Sequence, residues 1–149
     1  MIPMFLALLA VVATAAFAAY VRLAPSDPGR WNTDLLTDRA ADCAVAAAEG
    51  SARFACLYDM PPETLLQRLD AIALAPPRTM RLAGDPASGR ITWVTRSALW
   101  GFPDYTTAQA TSTPQGTRLD LYARLRFGRS DMGVNAARLT DWTAQLTLR

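Results

Sequence analysis

The sequence predicts an α+β protein: a single N-terminal transmembrane helix, then a small antiparallel sheet with helices packed on one face. Three observations carry that expectation. Ile2 to Val21 is an uncharged run of twenty residues. A helically spaced apolar set follows at Leu65, Leu66, Leu69, Ile72 and Ala73. From Arg78 to Phe127 apolar and polar residues then alternate, as in half-buried strands, before one last helical stripe. Residues 1–21 read as the anchor, 22–32 as a linker and 33–149 as a single α+β domain.

At about 1.5 Å rise per residue, twenty helical residues cover roughly 30 Å, the thickness of a bilayer's hydrocarbon core. Pro3 falls at the start, where its missing N–H would be unpaired anyway. Tyr20, close to Arg22, suits the aqueous interface. Ala16-Phe17-Ala18 has the small-x-small form of a cleavable secretory signal. Against cleavage, no Lys or Arg precedes the run, and the run exceeds the ~7–15 residues of a signal's apolar core. A retained single-pass anchor in a cell inner membrane is the expectation. By the positive-inside rule, Arg22 and Arg30 would keep the body in the cytoplasm. The export-like segment and the two cysteines favour the periplasmic side, which we expect.

Leu23 to Trp31, with two prolines and a glycine, reads as an extended linker. The Ala-rich stretch Thr33 to Glu49 reads as a weakly amphipathic helix ended by Gly50-Ser51. Asp59-Met-Pro-Pro-Glu63 starts a second helix, with Asp59 as its candidate cap and Pro76-Pro77 as its stop. Arg78 to Ala83 is a candidate strand closed by a turn over Gly84 to Gly89. Arg90 to Trp100 is the next, with Ile91, Trp93, Thr95 and Ser97 on one face and Thr92, Val94, Arg96 and Ala98 on the other. Gly101-Phe-Pro-Asp104 interrupts it before a strand from Tyr105 to Thr111. After the Pro114-Gln-Gly116 turn, Arg118 to Phe127 sends Leu119, Leu121, Ala123, Leu125 and Phe127 inward and Arg118, Asp120, Tyr122, Arg124 and Arg126 outward. Met132, Leu139, Trp142 and Leu146 make the stripe of a closing helix from about Asp131.

Composition narrows the chemistry. All 15 basic residues are Arg, and the chain has no His and no Lys. Ser-His-Asp and Cys-His machinery, histidine metal or haem ligation, a Walker-A lysine and Schiff-base chemistry are therefore excluded. Cys43 and Cys56, thirteen apart, form no CxxC motif. They are either a disulfide, worth roughly 3 kcal/mol for such a loop, or two independent buried thiols. Arg22 to Gly89 carries 7 Arg against 9 acids, and Arg90 to Arg149 carries 8 Arg against 4. The basic half suggests an anionic partner such as lipid headgroups or an acidic protein face. Nucleic acid does not fit a tethered domain whose whole-chain charge is only +2.

Two stretches are distinctive: Val94-Thr-Arg-Ser97 leading into Gly101-Phe-Pro-Asp-Tyr105, and Arg124 to Asn135 followed by Arg138. Over roughly Pro62 to Gln145 the chain resembles domain-of-unknown-function family fourteen-ninety-nine. Its members carry a Ser/Arg-rich strand end, then Gly-x-Ser-Asp-x-Gly-x-Asn-x-x-Arg and a closing helix; here that motif runs from Gly128 to Arg138. The anchor and the Leu23-Ala-Pro-Ser-Asp27 linker look like alphaproteobacterial members. Asp42 to Cys56 departs from the family's pattern. The resemblance implies a family but no established activity.

The motif has two readings. Arg96, Arg124, Arg126, Arg129 and Arg138 could converge at the closing helix's N-terminus as an anion or partner site. Alternatively Asp104, Gly128, Asp131, Gly133 and Asn135 form a structural latch, with Asp131 capping the helix and the glycines supplying backbone geometry. Trp93, Trp100, Phe102 and Trp142 would line a cavity or pack as core; if Trp100 and Phe102 face outward, a protein or lipid partner follows. The expected function is a non-catalytic, single-span accessory subunit of a larger membrane protein complex, a respiratory or photosynthetic one being the first candidate. Its partners would be membrane lipid and other subunits, with no cofactor, metal or nucleic acid. The alternative is a membrane-tethered binding module for an anionic small ligand or lipid headgroup.

Overall fold

A computed structural model describes residues 2–35 and 40–147. Helix α1 (Ile2–Leu23) is followed by a single turn, α2 (Pro28–Trp31), and then by β1 (Ala46–Ala48) and β2 (Ser51–Tyr58). Next come α3 (Pro62–Leu74), β3 (Thr79–Asp85), β4 (Arg90–Arg96), β5 (Pro103–Thr113), β6 (Gly116–Leu125) and α4 (Val134–Thr147). The strands form one antiparallel six-stranded sheet in the order β1-β2-β6-β5-β4-β3.

Pro3–Leu23 is long and apolar enough to cross a membrane. From Met4 to Val12 its large apolar side chains stand more than half exposed, whereas Val21 near its end is buried. Among the described residues, the helix meets the domain through its last turns. Phe17 packs against Phe102, Tyr20 against Phe127, and Arg22 Nη2 donates to the Leu99 carbonyl at 2.9 Å.

One sheet face carries the main core. Leu65, Leu66, Leu69, Ile72 and Ala73 of α3 and Leu139, Trp142 and Leu146 of α4 are buried against Phe54, Ile91, Trp93, Ala108, Leu119 and Leu121. Each large aliphatic or aromatic side chain removed from water there contributes about 1.5–3 kcal/mol. The alternation over β4 and β6 puts these residues on one side, because successive side chains of a strand point to opposite faces. Asp70 enters this face as an acceptor, taking the Trp93 Nε1–H at 2.8 Å and pairing with Arg81.

The opposite face is covered by the chain that leaves α1, so residues 22–32 are not an extended linker. Asp27 Oδ1 accepts from Gly29 N at 2.9 Å and caps α2, which buries Trp31. The Trp31 and Tyr105 rings stack with centres 3.8 Å apart and planes 10° apart. Around them Thr92 and Thr107 share hydroxyl bonds with each other, Asn32 and the Trp31 carbonyl. The outward residues of β6 are thus largely covered: Asp120 is buried and Arg124 only partly exposed.

Other expectations are corrected. The Ala-rich helix over Thr33 to Glu49 is absent among the described residues; 33–35 and 40–45 are irregular and Ala46–Ala48 is strand β1 (residues 36–39 lie outside the described residues). Its weak helix preference loses to two ties: Cys43 is disulfide-bonded to Cys56 on β2, and Ala46–Ala48 pairs with Ser51–Arg53 across a turn at Gly50. α3 begins at Pro62 with Pro61 at its cap and no side-chain cap, so Asp59 does not serve as one. β4 stops at Arg96 rather than Trp100, and Met132 lies outside α4, 92% exposed.

Candidate functional site

The sheet end that meets α1 also carries the most distinctive sequence. There the loop from Ser97 to Phe102 joins β4 to β5, and residues 126–133 lead from β6 into α4. Between them lies a cavity of about 600 Å³, within the ~300–1,000 Å³ of small-molecule sites. Asp104, Asp131 and Arg138 give it polar ground, Arg78 and Arg96 flank it, and Phe102, Leu125, Phe127 and Met132 supply apolar surface.

Asp131 sits at the start of α4. Its Oδ1 accepts from Gly133 N at 3.1 Å and its Oδ2 from Asn135 N at 2.8 Å, two donors that the helix leaves unpaired. Burial pushes its carboxyl up, but the N–H groups of Asn135 and Gly133 outweigh that and hold it below the usual carboxylate range. Gly128 and Gly133 take φ of +94° and +82°, where a side chain would strain the backbone. The residues of the candidate latch other than Asp104 thus make up the α4 entrance.

Asp104 is half-buried at the start of β5, facing α4, and Arg138 Nη2 donates to it at 3.4 Å. Burial pushes its carboxyl up; Arg138 and Asn135 oppose this, and the nearby Asp131 charge adds to it. Asn135 is buried beside both acids. Its Oδ1 accepts from Arg138 Nη1, while its Nδ2 makes no well-formed hydrogen bond though it still favours the ionised form of each carboxyl. Among the described residues no group of three or more His, Cys, Asp or Glu could hold a metal ion.

The five candidate arginines do not converge. Arg138 and Arg96 line the cavity, and Arg96 Nη1 also donates to the Gly101 carbonyl at 2.9 Å. Arg124 and Arg126 follow the strand's alternation onto the opposite face. Arg124 donates to the Trp31 carbonyl at 2.6 Å with its guanidinium 4.6 Å from the Tyr122 ring centre, and burial pushes its pKa down. Arg126 donates to the Pro25 carbonyl at 2.8 Å and to the Tyr105 hydroxyl at 3.2 Å. Arg129 is exposed on the α4 loop and does not line the cavity. Of the aromatics, Trp93 and Trp142 meet edge-on in the core at 5.4 Å, Phe102 packs on Phe127, and Trp100 faces out.

Arg78 was not among the candidates. The signal for it was the hairpin register: around the turn before Arg90 the two strands pair so that Arg96 N donates to the Arg78 carbonyl at 2.9 Å. Trp31 and Tyr105 were also missed as a pair, since nothing in their spacing indicates that the segment after α1 folds back.

The chain is similar to protein MLL2253 of Mesorhizobium loti at 15% identity and a TM-score of 0.52, over 66% of this chain and 94% of that one. It is also similar to protein CV1439 of Chromobacterium violaceum at 18% identity and a TM-score of 0.44, over 66% and 93%. The first likeness speaks for the fold alone. No curated protein matches the chain. A family model described as a protein of unknown function (DUF1499) matches residues 22–146, beyond the stretch from Pro62 that carried the resemblance, and the chain belongs to that family.

Proposed function

We propose that the protein is a membrane-anchored, non-catalytic binding module whose ligand is an amphipathic anion, a phosphate or carboxylate head on an apolar chain. One observation supports this most: the cavity sets guanidinium groups beside an aromatic wall against which α1 itself packs. Asp131 is occupied as a cap and Asp104 is matched by Arg138, leaving Arg78 and Arg96 to meet a ligand's charge. A guanidinium carries five donors in a planar fork suited to phosphate or carboxylate. Phe102 and Phe127 would flank the chain. With α1 as the anchor, the cavity would lie beside the headgroups.

Native mass spectrometry of the full chain in mild detergent tests the reading, with phosphatidylglycerol and inorganic phosphate as separate probes. Wild type should retain the lipid, and the Arg78→Ala, Arg96→Ala double variant should lose it. Retention of phosphate without lipid would assign the cavity to a free anion. Equal lipid retention by both chains overturns the reading.

A periplasmic domain on an inner membrane suits the Cys43–Cys56 disulfide, since such bonds persist in oxidising compartments. Arg22 and Arg30, the charges that argue for the cytoplasmic side, are also used within the chain. Arg22 holds the Leu99 carbonyl, and the Arg30 guanidinium lies 5.1 Å from the Trp31 ring centre. Thiol alkylation in intact cells, with and without prior reduction, tests the side.

The second reading is the accessory subunit of a respiratory, photosynthetic or other membrane complex. The bare length of α1 favours it, particularly Ala10, Thr14 and Ala18, small residues that let another span approach closely. Purification of the tagged protein in mild detergent as a monomer without a stoichiometric partner would remove it.

A further inference from the structure

We infer that the Ser97–Phe102 loop is a second membrane contact, with Leu99 and Trp100 inserted at the bilayer interface beside α1. The inference rests on α1 being the anchor and is independent of what fills the cavity. Leu99 is 75% exposed and Trp100 38%, although Trp31, Trp93 and Trp142 are all buried. Both lie on a loop that the end of α1 grips directly. Arg22 Nη2 donates to the Leu99 carbonyl at 2.9 Å, and a side chain added at Gly101 would meet the Arg22 Cγ at 3.0 Å.

Depth follows from the helix. Phe102, at the loop's end, packs with its ring centre 6.1 Å from that of Phe17. Phe17 lies five residues before Arg22, about 7.5 Å further along the apolar run at 1.5 Å per residue. Phe102 therefore reaches past the charged end of α1 toward its apolar part, while Leu99 is held at the level of Arg22. A lipid interface is the environment that meets an apolar helix at that level, and Trp is the side chain enriched there. Arg22, fixed to the loop backbone, keeps its charge at the headgroup level with its stem along apolar surface.

Part of the loop's backbone is paired within the protein. Ser97 N donates to the Phe102 carbonyl at 3.0 Å, Gly101 N to the Ser97 carbonyl at 3.2 Å and Phe102 N to Ser97 Oγ at 3.0 Å. The Leu99 and Gly101 carbonyls accept from Arg22 and Arg96. Backbone groups satisfied internally lower the cost of entering lipid. Two grips, α1 and this loop, would fix the domain's tilt, which one span by itself leaves free.

The test is tryptophan fluorescence of the full chain in phosphatidylcholine–phosphatidylglycerol vesicles, with brominated phosphatidylcholine quenching from the lipid and iodide from water. Vesicle flotation is scored first. In floating protein, brominated lipid should quench one emission component, Trp100→Phe should abolish that quenching, and Leu99→Asp should reduce it at least twofold while flotation persists. Quenching of Trp100 by iodide but not by brominated lipid overturns the inference and leaves the anchor standing. Shielding from both quenchers overturns it in favour of self-association through the loop. A chain that does not float overturns the anchor, and this inference with it.

Discussion

The two faces of the sheet are covered in different ways. The face under α3 and α4 is closed by aliphatic and aromatic side chains from two long amphipathic helices, with one carboxylate, Asp70, met by the Trp93 indole and Arg81. The other face is closed by residues that continue from α1, and it is held by a ring stack and by hydroxyl and guanidinium bonds to main-chain carbonyls. Apolar burial is non-directional and large per residue; hydrogen bonds exchanged for water contribute about 0.5–1.5 kcal/mol each. The first face thus supplies most of the stability, and the second fixes where α1 leaves the domain.

Substitutions separate these roles. The largest effect is expected for Leu69→Ala on the helical face, about 2–5 kcal/mol, read as a lowered denaturant midpoint for the whole domain. Replacing Cys43 and Cys56 together by Ser should cost about 3 kcal/mol, and in hydrogen exchange Ala46–Ala48 should lose protection before β6. Trp31→Ala should remove the ring stack, worth about 0.5–1.5 kcal/mol, along with the apolar burial of Trp31, and expose the amides of residues 24–35 while those of β5 and β6 stay protected. If Trp31→Ala instead unfolds the sheet as Leu69→Ala does, the distinction between the faces fails.

The two acids beside α4, Asp131 and Asp104, give the smaller effects, and with opposite signs. Asp131→Ala should lower stability by about 1 kcal/mol at neutral pH. Because its folded carboxyl is depressed, its contribution is full above the ordinary carboxylate pKa and is lost as pH falls through the folded value. Melting temperature should therefore drop less on acidification in the variant than in the wild type. Asp104 is raised, so its ionisation opposes folding as pH rises through the folded value. Asp104→Asn should flatten that segment of the pH–melting curve with the smallest change of all, provided Arg138 keeps the amide oxygen as acceptor.

Much of the fold was legible because periodicity records burial. The inward set of β6 and the stripes of α3 and α4 are visible wherever one side of an element meets water and the other a core. The Thr33–Glu49 stretch misled because alanine's helix preference is a weak prior against a disulfide and a strand partner many residues away. The cavity was half legible: Asp104, Asp131 and Arg138 were marked by their motif, while Arg78 joins only through the β3–β4 register.

The long apolar helix, the stripes of α3 and α4 and the side-chain alternation of β4 and β6 follow from residues close in the chain, whereas β1 and β2 do not. Tertiary packing keeps the five candidate arginines from sharing one site and folds the segment after α1 back under Tyr105. It alone also brings Phe17 of the helix against Phe102 of a distant loop. Strand alternation sends neighbouring residues to opposite sides, and contacts between residues 76 to 101 positions apart are selected by packing, which no local pattern encodes.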